Sequence, residues 1–170
     1  MKQLVQIAAT LIALVAPACA GTIWEENWSS VDGWTTVEPV PIQASWKGEN
    51  GTGTFAVANA NTWVHFIPAT RASINIKRLA KYVLEFDVKR VTSSMSYELD
   101  LDAFDAKGAY LRTITVYVQG TDIKSHSVTF NAIPKADWQG VAQVAPKVGL
   151  SSGRGDQQMQ VGTFKIVETP

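Results

Sequence analysis

The sequence predicts an all-β protein, an antiparallel β-sandwich of jelly-roll type. Apolar and polar residues alternate with a period close to two over most of the chain, and glycine-rich turn signals interrupt this alternation at short intervals. No segment shows a convincing helical period. Successive side chains of a strand point to opposite faces of a sheet, so this alternation is typical of half-buried antiparallel strands. Many short strands without helices are typical of two packed sheets.

The N-terminal segment predicts an export signal. Lys2 supplies a positive charge, residues 4–15 are mostly apolar, and Ala18-Cys19-Ala20 has the small-x-small form of a signal peptidase site. The apolar run is too short to span a bilayer, and no stop-transfer segment follows it. We therefore expect residues 1–20 to be a cleaved signal peptide, the protein to be secreted or periplasmic, and Cys19 to carry no lipid anchor.

Residues 21–170 have the size of a single domain with its own core. The full chain carries 15 basic and 15 acidic residues, a balance that does not favour nucleic acid or an anionic membrane as the main partner. Cys19 is the only cysteine, so cleavage would leave no thiolate for catalysis or metal binding. No segment of this part has the apolar length of a transmembrane helix.

Four strands follow most clearly from the alternation. Each has an apolar face and a polar face, and they cover residues 82–88, 97–103, 113–119 and 126–130. Turn signals such as Asp32-Gly33 and Lys107-Gly108 separate the strands. Near the C-terminus the apolar phase changes across Gly162, which predicts a β-bulge. Residues 69–80 are ambiguous, and a short helical turn is the alternative there.

Four segments carry a family resemblance. Residues 25–34 resemble the first strand and "D-G-W" turn of secreted glycan-binding sandwiches, and residues 82–88 resemble their central "Y-x-L-x-F-x-V" strand. Residues 104–108 resemble the "F-D-x-x-G" turn, and residues 161–167 resemble the closing strand. Together they are similar to carbohydrate-binding modules of families four, nine and twenty-two, within the galactose-binding-like group.

This resemblance implies a non-catalytic protein that binds a polysaccharide or oligosaccharide, alone or within a larger surface or secreted assembly. In that family, acidic residues on the closing strand help to hold a structural calcium ion. Thr163 and Phe164 occupy the corresponding region here. Calcium is therefore an open alternative, with Glu25 and Glu26 as the weak candidate ligands.

Aromatic side chains are the first candidates for binding, because sugars offer apolar ring faces on which an aromatic ring stacks. Six tryptophans lie after the signal peptide: Trp24, Trp28, Trp34, Trp46, Trp63 and Trp138. We expect the first three to pack in the core and Trp46 and Trp138 to serve at the surface. Trp63 and His65 share one face of a strand, opposite Val64 and Phe66, and would form a sugar platform if the aliphatic face is buried.

Acidic side chains are the second candidates. Five of them lie opposite the apolar sides of two predicted strands: Glu85, Asp87, Glu98, Asp100 and Asp102. If these strands pair as a hairpin, the carboxylates face one another across the sheet, where like charges need an offsetting cation or ligand. The functional interpretation is a polar groove that binds sugar hydroxyls through Glu98, Asp100, Tyr117 and Gln119. An ordinary solvated face is the alternative.

Two other classes of function remain open. A small secreted glycoside hydrolase or polysaccharide lyase could use the same fold, since carboxylates two residues apart on a strand fall near the spacing of an inverting pair. The third class is a structural or adhesion sandwich with no glycan site. His65 and His126, the two histidines, are far apart and show no paired metal-ligand spacing, so the sequence does not predict zinc.

Overall fold

The computed structural model describes most of the chain after the predicted signal peptide, which itself lies outside the described residues. The described ranges are 21–29, 33–37, 44–58, 63–76, 80–92, 95–133, 136–152 and 156–170, and the side chains of residues 95, 117–119 and 152 are outside the description. Within these ranges no helix has the length and apolarity needed to cross a membrane.

The described residues contain twelve strands and one short 3-10 turn. In chain order they are β1 (Gly21–Glu25), β2 (Trp34–Thr36), β3 (Ala44–Glu49), β4 (Thr52–Val57), β5 (Trp63–Pro68), β6 (Ala72–Ser73), β7 (Lys81–Val91), β8 (Met95–Phe104), β9 (Tyr110–Gly120), β10 (Ser125–Thr129), the 3-10 turn Phe130–Ala132, β11 (Gln143–Ser152) and β12 (Gln157–Thr169).

These strands form two six-stranded sheets. The first sheet has the order β10-β7-β12-β4-β3, with β1 also paired to β12. The second sheet has the order β2-β5-β11-β8-β9, with β6 also paired to β11. Every strand pair is antiparallel. The predicted fold class, an antiparallel β-sandwich of jelly-roll type, is confirmed.

The hairpin that would bring residues 82–88 beside residues 97–103 does not form. The first segment lies in β7, between β10 and β12, whereas the second lies in β8, between β9 and β11 of the other sheet. Between β7 and β8 the chain crosses from one sheet to the other, so these two strands, although consecutive in sequence, lie in different sheets. Alternation within a strand does not indicate which strand it pairs with. The five acidic side chains are therefore divided. In the first sheet Glu85 pairs with Lys165 at 3.0 Å, and Asp87 pairs with Lys89.

The predicted β-bulge near Gly162 is confirmed. The register between β12 and β7 shifts between Val161 and Phe164. The carbonyl of Gly162 accepts a hydrogen bond from the indole Nε1 of Trp28. The alternative of a helical turn within residues 69–80 is not found in the described part of that stretch, which contains β6; residues 77–79 are outside the description.

An aromatic cluster fills part of the core. Trp24, Trp28 and Trp34 are only 7%, 2% and 4% exposed, which confirms the predicted core role of these tryptophans. Trp28 stacks on Trp34 with ring centroids 5.9 Å apart and meets Phe55 edge-on at 5.8 Å. Phe164 joins the same cluster through Trp28 at 6.3 Å. Burying so much aromatic surface is a main source of stability for a domain of this size.

Candidate functional site

The outward-facing side chains of the second sheet form the candidate site. Val64 and Phe66 are fully buried, so the alternation of β5 turns Trp63 and His65 away from the core, as the sequence predicted. The register places Ser151, Gly149 and Lys147 of β11 beside Ser96, Glu98 and Asp100 of β8. We call this surface the polar face; its members are Trp63, His65, Ser96, Glu98, Asp100, Asp102, Thr113, Thr115, Lys147, Gly149 and Ser151.

His65 and Glu98 meet across a strand that lies between them. Gly149 of β11 pairs with His65 on one side and with Glu98 on the other. Two strands that flank a third are roughly 9.6 Å apart, so the side chains must reach over the middle strand to touch. The two side chains do touch: His65 Nε2 donates a hydrogen bond to Glu98 Oε1 at 2.7 Å. A Cβ on Gly149 would lie 2.6 Å from Glu98 Cγ and 2.9 Å from His65 Cδ2, so glycine makes room for this contact.

Asp100 is a buried carboxylate with an incomplete set of partners. It is only 6% exposed, and its Oδ1 has no hydrogen-bond partner. The Thr115 hydroxyl on β9 donates to this carboxylate. Burial and the nearby Glu98 carboxylate raise the pKa of Asp100, while Lys147 acts in the opposite direction. Buried polar atoms are rarely left without a partner, so Oδ1 of Asp100 is an acceptor available to a ligand or ion.

Next to Asp100 lies a buried ion pair. Lys147 Nζ is 3.1 Å from Asp102 Oδ1. The Thr113 hydroxyl connects the two groups, since it donates to Asp102 at 2.7 Å and accepts from Lys147 at 3.0 Å. Lys147 and Asp102 are 7% and 5% exposed, although both lie on the outer side of the sheet. The floor of the polar face is therefore screened from water, which strengthens polar interactions made there.

We expect Asp100→Asn to stabilise the protein by about 1 kcal/mol, because it removes a buried charge with an unpartnered oxygen. The raised pKa sets the pH dependence. Because the pKa of Asp100 is higher in the folded state, burying the ionised carboxylate costs free energy of folding. This cost is fully present above the folded-state pKa, and it is lost as the pH falls through that value towards the ordinary value of 3.8.

The gain in melting temperature of Asp100→Asn should therefore be larger at pH 7 than at pH 3.5, measured by calorimetry in chelator. Asp87→Asn is the matched control. Its carboxylate has a pKa lowered mainly by Lys89, so this change should destabilise the protein at pH 7. An Asp100→Asn variant less stable than the parent protein at pH 7 would contradict the prediction.

Trp63 lies beside the His65–Glu98 pair. Its ring stacks on the His65 ring with centroids 6.4 Å apart and an interplanar angle of 20°. Its neighbour across the strands is Ser151, and Ser96 lies beyond. A half-buried indole with small polar neighbours keeps part of its apolar ring accessible to a ligand.

The structure places the other predicted aromatic residues elsewhere. Trp46 lies on β3 of the first sheet and meets the core residue Phe66 edge-on at 5.8 Å. Trp138 packs on the buried Phe130 with ring centroids 5.7 Å apart. Both are only partly buried, but each contributes to the core. These packing contacts, which local sequence polarity did not reveal, make neither residue part of the polar face.

Two further predicted residues, Tyr117 and Gln119, lie on β9, and their side chains are outside the described residues. The candidate calcium ligands Glu25 and Glu26 lie at the end of β1. Both carboxylate oxygens of Glu26 accept hydrogen bonds, from the Trp28 backbone N–H at 3.2 Å and from Trp34 Nε1 at 2.8 Å. Calcium at this position stays a prediction.

Sequence reasoning missed Lys147 and Gly149. Both lie on β11, the middle strand of the second sheet, whose residues 144–150 are buried on both faces. A strand buried on both faces shows no clean alternation of apolar and polar residues, so its polar members are not recognised as a face. A lysine and a glycine inside a largely apolar run were the available signal.

No protein-family model and no curated protein matches the sequence. Solved structures of carbohydrate-binding modules align over most of the chain. CtCBM11 aligns with a TM-score of 0.56 and 10% identity over 94% of this chain and 99% of its own. The family 11 carbohydrate-binding module from Clostridium thermocellum, in complex with a β-1,3-1,4-mixed-linked tetrasaccharide, aligns with a TM-score of 0.54 and 9% identity. The alignment covers 89% of this chain and 96% of that module. The CBM22-1 xylan-binding domain from Paenibacillus barcinonensis Xyn10C aligns with a TM-score of 0.51 and 9% identity. The alignment covers 91% of this chain and 98% of that domain.

The chain has the jelly-roll fold of these carbohydrate-binding modules. At identities of 9% and 10% the likeness concerns the fold. Part of it was predicted, because the family twenty-two module is among those that the sequence segments resembled. The jelly-roll fold itself supports many functions, so an argument about function depends on the polar face.

Proposed function

We propose that the protein is an exported, non-catalytic carbohydrate-binding protein that binds a polysaccharide or oligosaccharide on the polar face. One observation carries the proposal: a half-buried tryptophan shares the outer side of one sheet with convergent polar side chains, of which Asp100, Asp102 and Lys147 are buried. The solved structures with the same fold, which include a xylan-binding domain and a module bound to a mixed-linked tetrasaccharide, support it.

The chemistry of each residue determines its proposed role in binding the sugar. Trp63 supplies a flat apolar surface for the face of a sugar ring. Glu98 accepts hydrogen bonds from sugar hydroxyls, and hydrogen bonds to a charged acceptor are stronger than those between neutral groups. Ser96 and Ser151, beside Trp63, add hydroxyls that both donate and accept.

The dimensions of the polar face favour a chain over a single sugar. From Ser96 to Asp102 the outward positions of β8 extend over roughly 20 Å at about 3.3 Å per residue. A linear glycan lying along β8 would contact Trp63 and His65 on one side and Thr113 and Thr115 on the other. Xylan and mixed-linkage β-glucan are therefore the first ligands to test.

We expect Trp63→Ala to weaken binding of the glycan by at least tenfold, because loss of an aromatic anchor in an interface commonly costs more than 1 kcal/mol. The measurement is affinity gel electrophoresis of the purified protein in gels that contain xylan or mixed-linkage β-glucan. Trp46→Ala is the matched control, since Trp46 is also partly buried but lies on the other sheet.

Retardation that Trp63→Ala abolishes and Trp46→Ala preserves would establish binding on the polar face. No retardation by any glycan of a broad panel would overturn the proposal and favour a structural role. Circular dichroism of both variants shows whether each one folds.

A second candidate function, glycoside hydrolysis, is favoured by one specific observation. Burial and Glu98 raise the pKa of Asp100, and a pair of neighbouring carboxyl groups in different surroundings is the arrangement that glycosidases use. Release of reducing sugars from xylan or mixed-linkage β-glucan, abolished in both Glu98→Gln and Asp100→Asn, would establish hydrolysis. Glycan binding without any release would support the non-catalytic function.

A further inference from the structure

We propose that His65, Glu98 and Asp100 bind a divalent transition-metal ion, for which Zn²⁺ is the best match. One donor atom from each residue lies within 4.8 Å of the other two, and this is the only such group of three among the described residues. The site uses the polar face but does not depend on carbohydrate binding.

The geometry is close to that of a bound ion. With bonds of about 2.0–2.2 Å to nitrogen and oxygen, the donor atoms of a tetrahedral zinc site lie roughly 3.4 Å apart. The Nε2–Oε1 contact of 2.7 Å between His65 and Glu98 would open by several tenths of an ångström. The Asp100 oxygen, within 4.8 Å of the other donors, would approach by rotation of its side chain. Both adjustments are within the range of ordinary side-chain motion.

The unpartnered oxygen of Asp100 is the independent observation. Asp100 is 6% exposed, and its Oδ1 has no hydrogen-bond partner. Thr115 already donates to this carboxylate from β9. An acceptor that is buried beside an imidazole and a second carboxylate has the surroundings of a metal ligand, because a buried charge is normally paired or coordinated to a metal.

The charge of the group also calls for a cation. Glu98 and Asp100 bring two carboxylates together, and like charges this close repel each other unless a cation lies between them. The nearest ammonium group, Lys147 Nζ, is held by Asp102 at 3.1 Å and by Thr113 at 3.0 Å. A divalent ion would neutralise both carboxylates and would leave the Asp102–Lys147 pair intact.

The donor set distinguishes the metal. Calcium and magnesium prefer sites built from oxygen alone, whereas an imidazole nitrogen with carboxylate oxygens suits Zn²⁺ and its neighbours in the first transition row. Three protein ligands leave a fourth position for water or another oxygen donor. This position would face outward from the sheet, on the same side as Trp63.

The test is isothermal titration of ZnCl₂ into the chelator-stripped protein, without a polyhistidine tag and without glycan. We expect one ion per chain, with millimolar CaCl₂ unable to displace it. The two histidines provide a matched pair: His65→Gln should weaken Zn²⁺ binding at least tenfold, whereas His126→Gln should leave it unchanged. The absence of glycan makes the result independent of the proposed carbohydrate binding.

Gly149→Ala tests the geometry without removing a ligand, since its added Cβ displaces Glu98 and His65. It should also weaken Zn²⁺ binding, and a thermal melt in chelator shows whether the variant is folded. Binding that His65→Gln leaves unchanged, or no Zn²⁺ binding by the parent protein, would overturn the proposal. Loss of Zn²⁺ binding in Asp100→Asn, together with the higher melting temperature expected for that variant in chelator, would support it.

Discussion

Replacing Lys147 by methionine should lower the free energy of unfolding by about 3–5 kcal/mol, among the largest effects expected of a single substitution here. The ammonium group of Lys147 is the cation closest to two buried carboxylates, those of Asp100 and Asp102. Methionine fills a similar volume but leaves Asp102 charged and unpaired in surroundings where it is only 5% exposed. Breaking a buried pair in this way costs far more than the intact pair contributes.

Urea denaturation of the variant at neutral pH measures this loss. Adding Asp102→Asn to Lys147→Met removes the uncompensated charge and should restore roughly 1–2 kcal/mol, so the two changes should not be additive. Lys89→Met is the control, because Lys89 is half-exposed where it pairs with Asp87 and should contribute less than about 1 kcal/mol. Equal effects of Lys147→Met and Lys89→Met would show that the pair on the polar face is not desolvated.

Trp28→Ala should destabilise the protein by a similar amount, about 3–5 kcal/mol, through a large cavity in the aromatic cluster. The indole is 2% exposed and packs against Trp34, Phe55 and Phe164. It also lies directly over Gly53, where an added Cβ would be 2.3 Å from the ring. The chain therefore keeps a glycine under the ring, and both residues are needed for the packing.

Trp28→Phe separates packing from hydrogen bonding. It retains most of the aromatic surface but loses the indole N–H that donates to the Gly162 carbonyl at the β-bulge. We expect a loss of about 1–3 kcal/mol, the cost of an unpaired buried acceptor combined with a smaller cavity. Thermal and urea unfolding measure both variants. A Trp28→Ala variant as stable as Trp46→Ala would indicate that the cluster repacks.

The fold could be predicted where a strand has one face in the core and one towards solvent. Tyr82, Leu84, Phe86 and Val88 of β7 are each 1% exposed, as the alternation in this segment predicted. The same reasoning oriented Trp63 and His65 correctly on β5. It provided no assignment for β11, because this middle strand is covered on both sides and lacks the alternation.

The candidate site could be predicted in part, for the same reason. Alternation identified Glu98 and Asp100 as outward-facing, but the supposed neighbours Glu85 and Asp87 belong to the other sheet. Trp46 and Trp138 have polar sequence neighbours, yet each packs against a buried phenylalanine. Sequence neighbours report local polarity, and they do not report which distant residue covers a side chain.

The sequence by itself determined those strand segments whose residues alternate, the side of each of these strands that faces the core, and the residue types available for binding. These properties depend on the period of two and on local turn chemistry, both of which are written along the chain. Only the tertiary structure decided that His65 of β5 meets Glu98 of β8 over Gly149. Strand order and register depend on the joint burial of two sheets, so contacts between residues far apart in sequence emerge only when the sandwich is assembled.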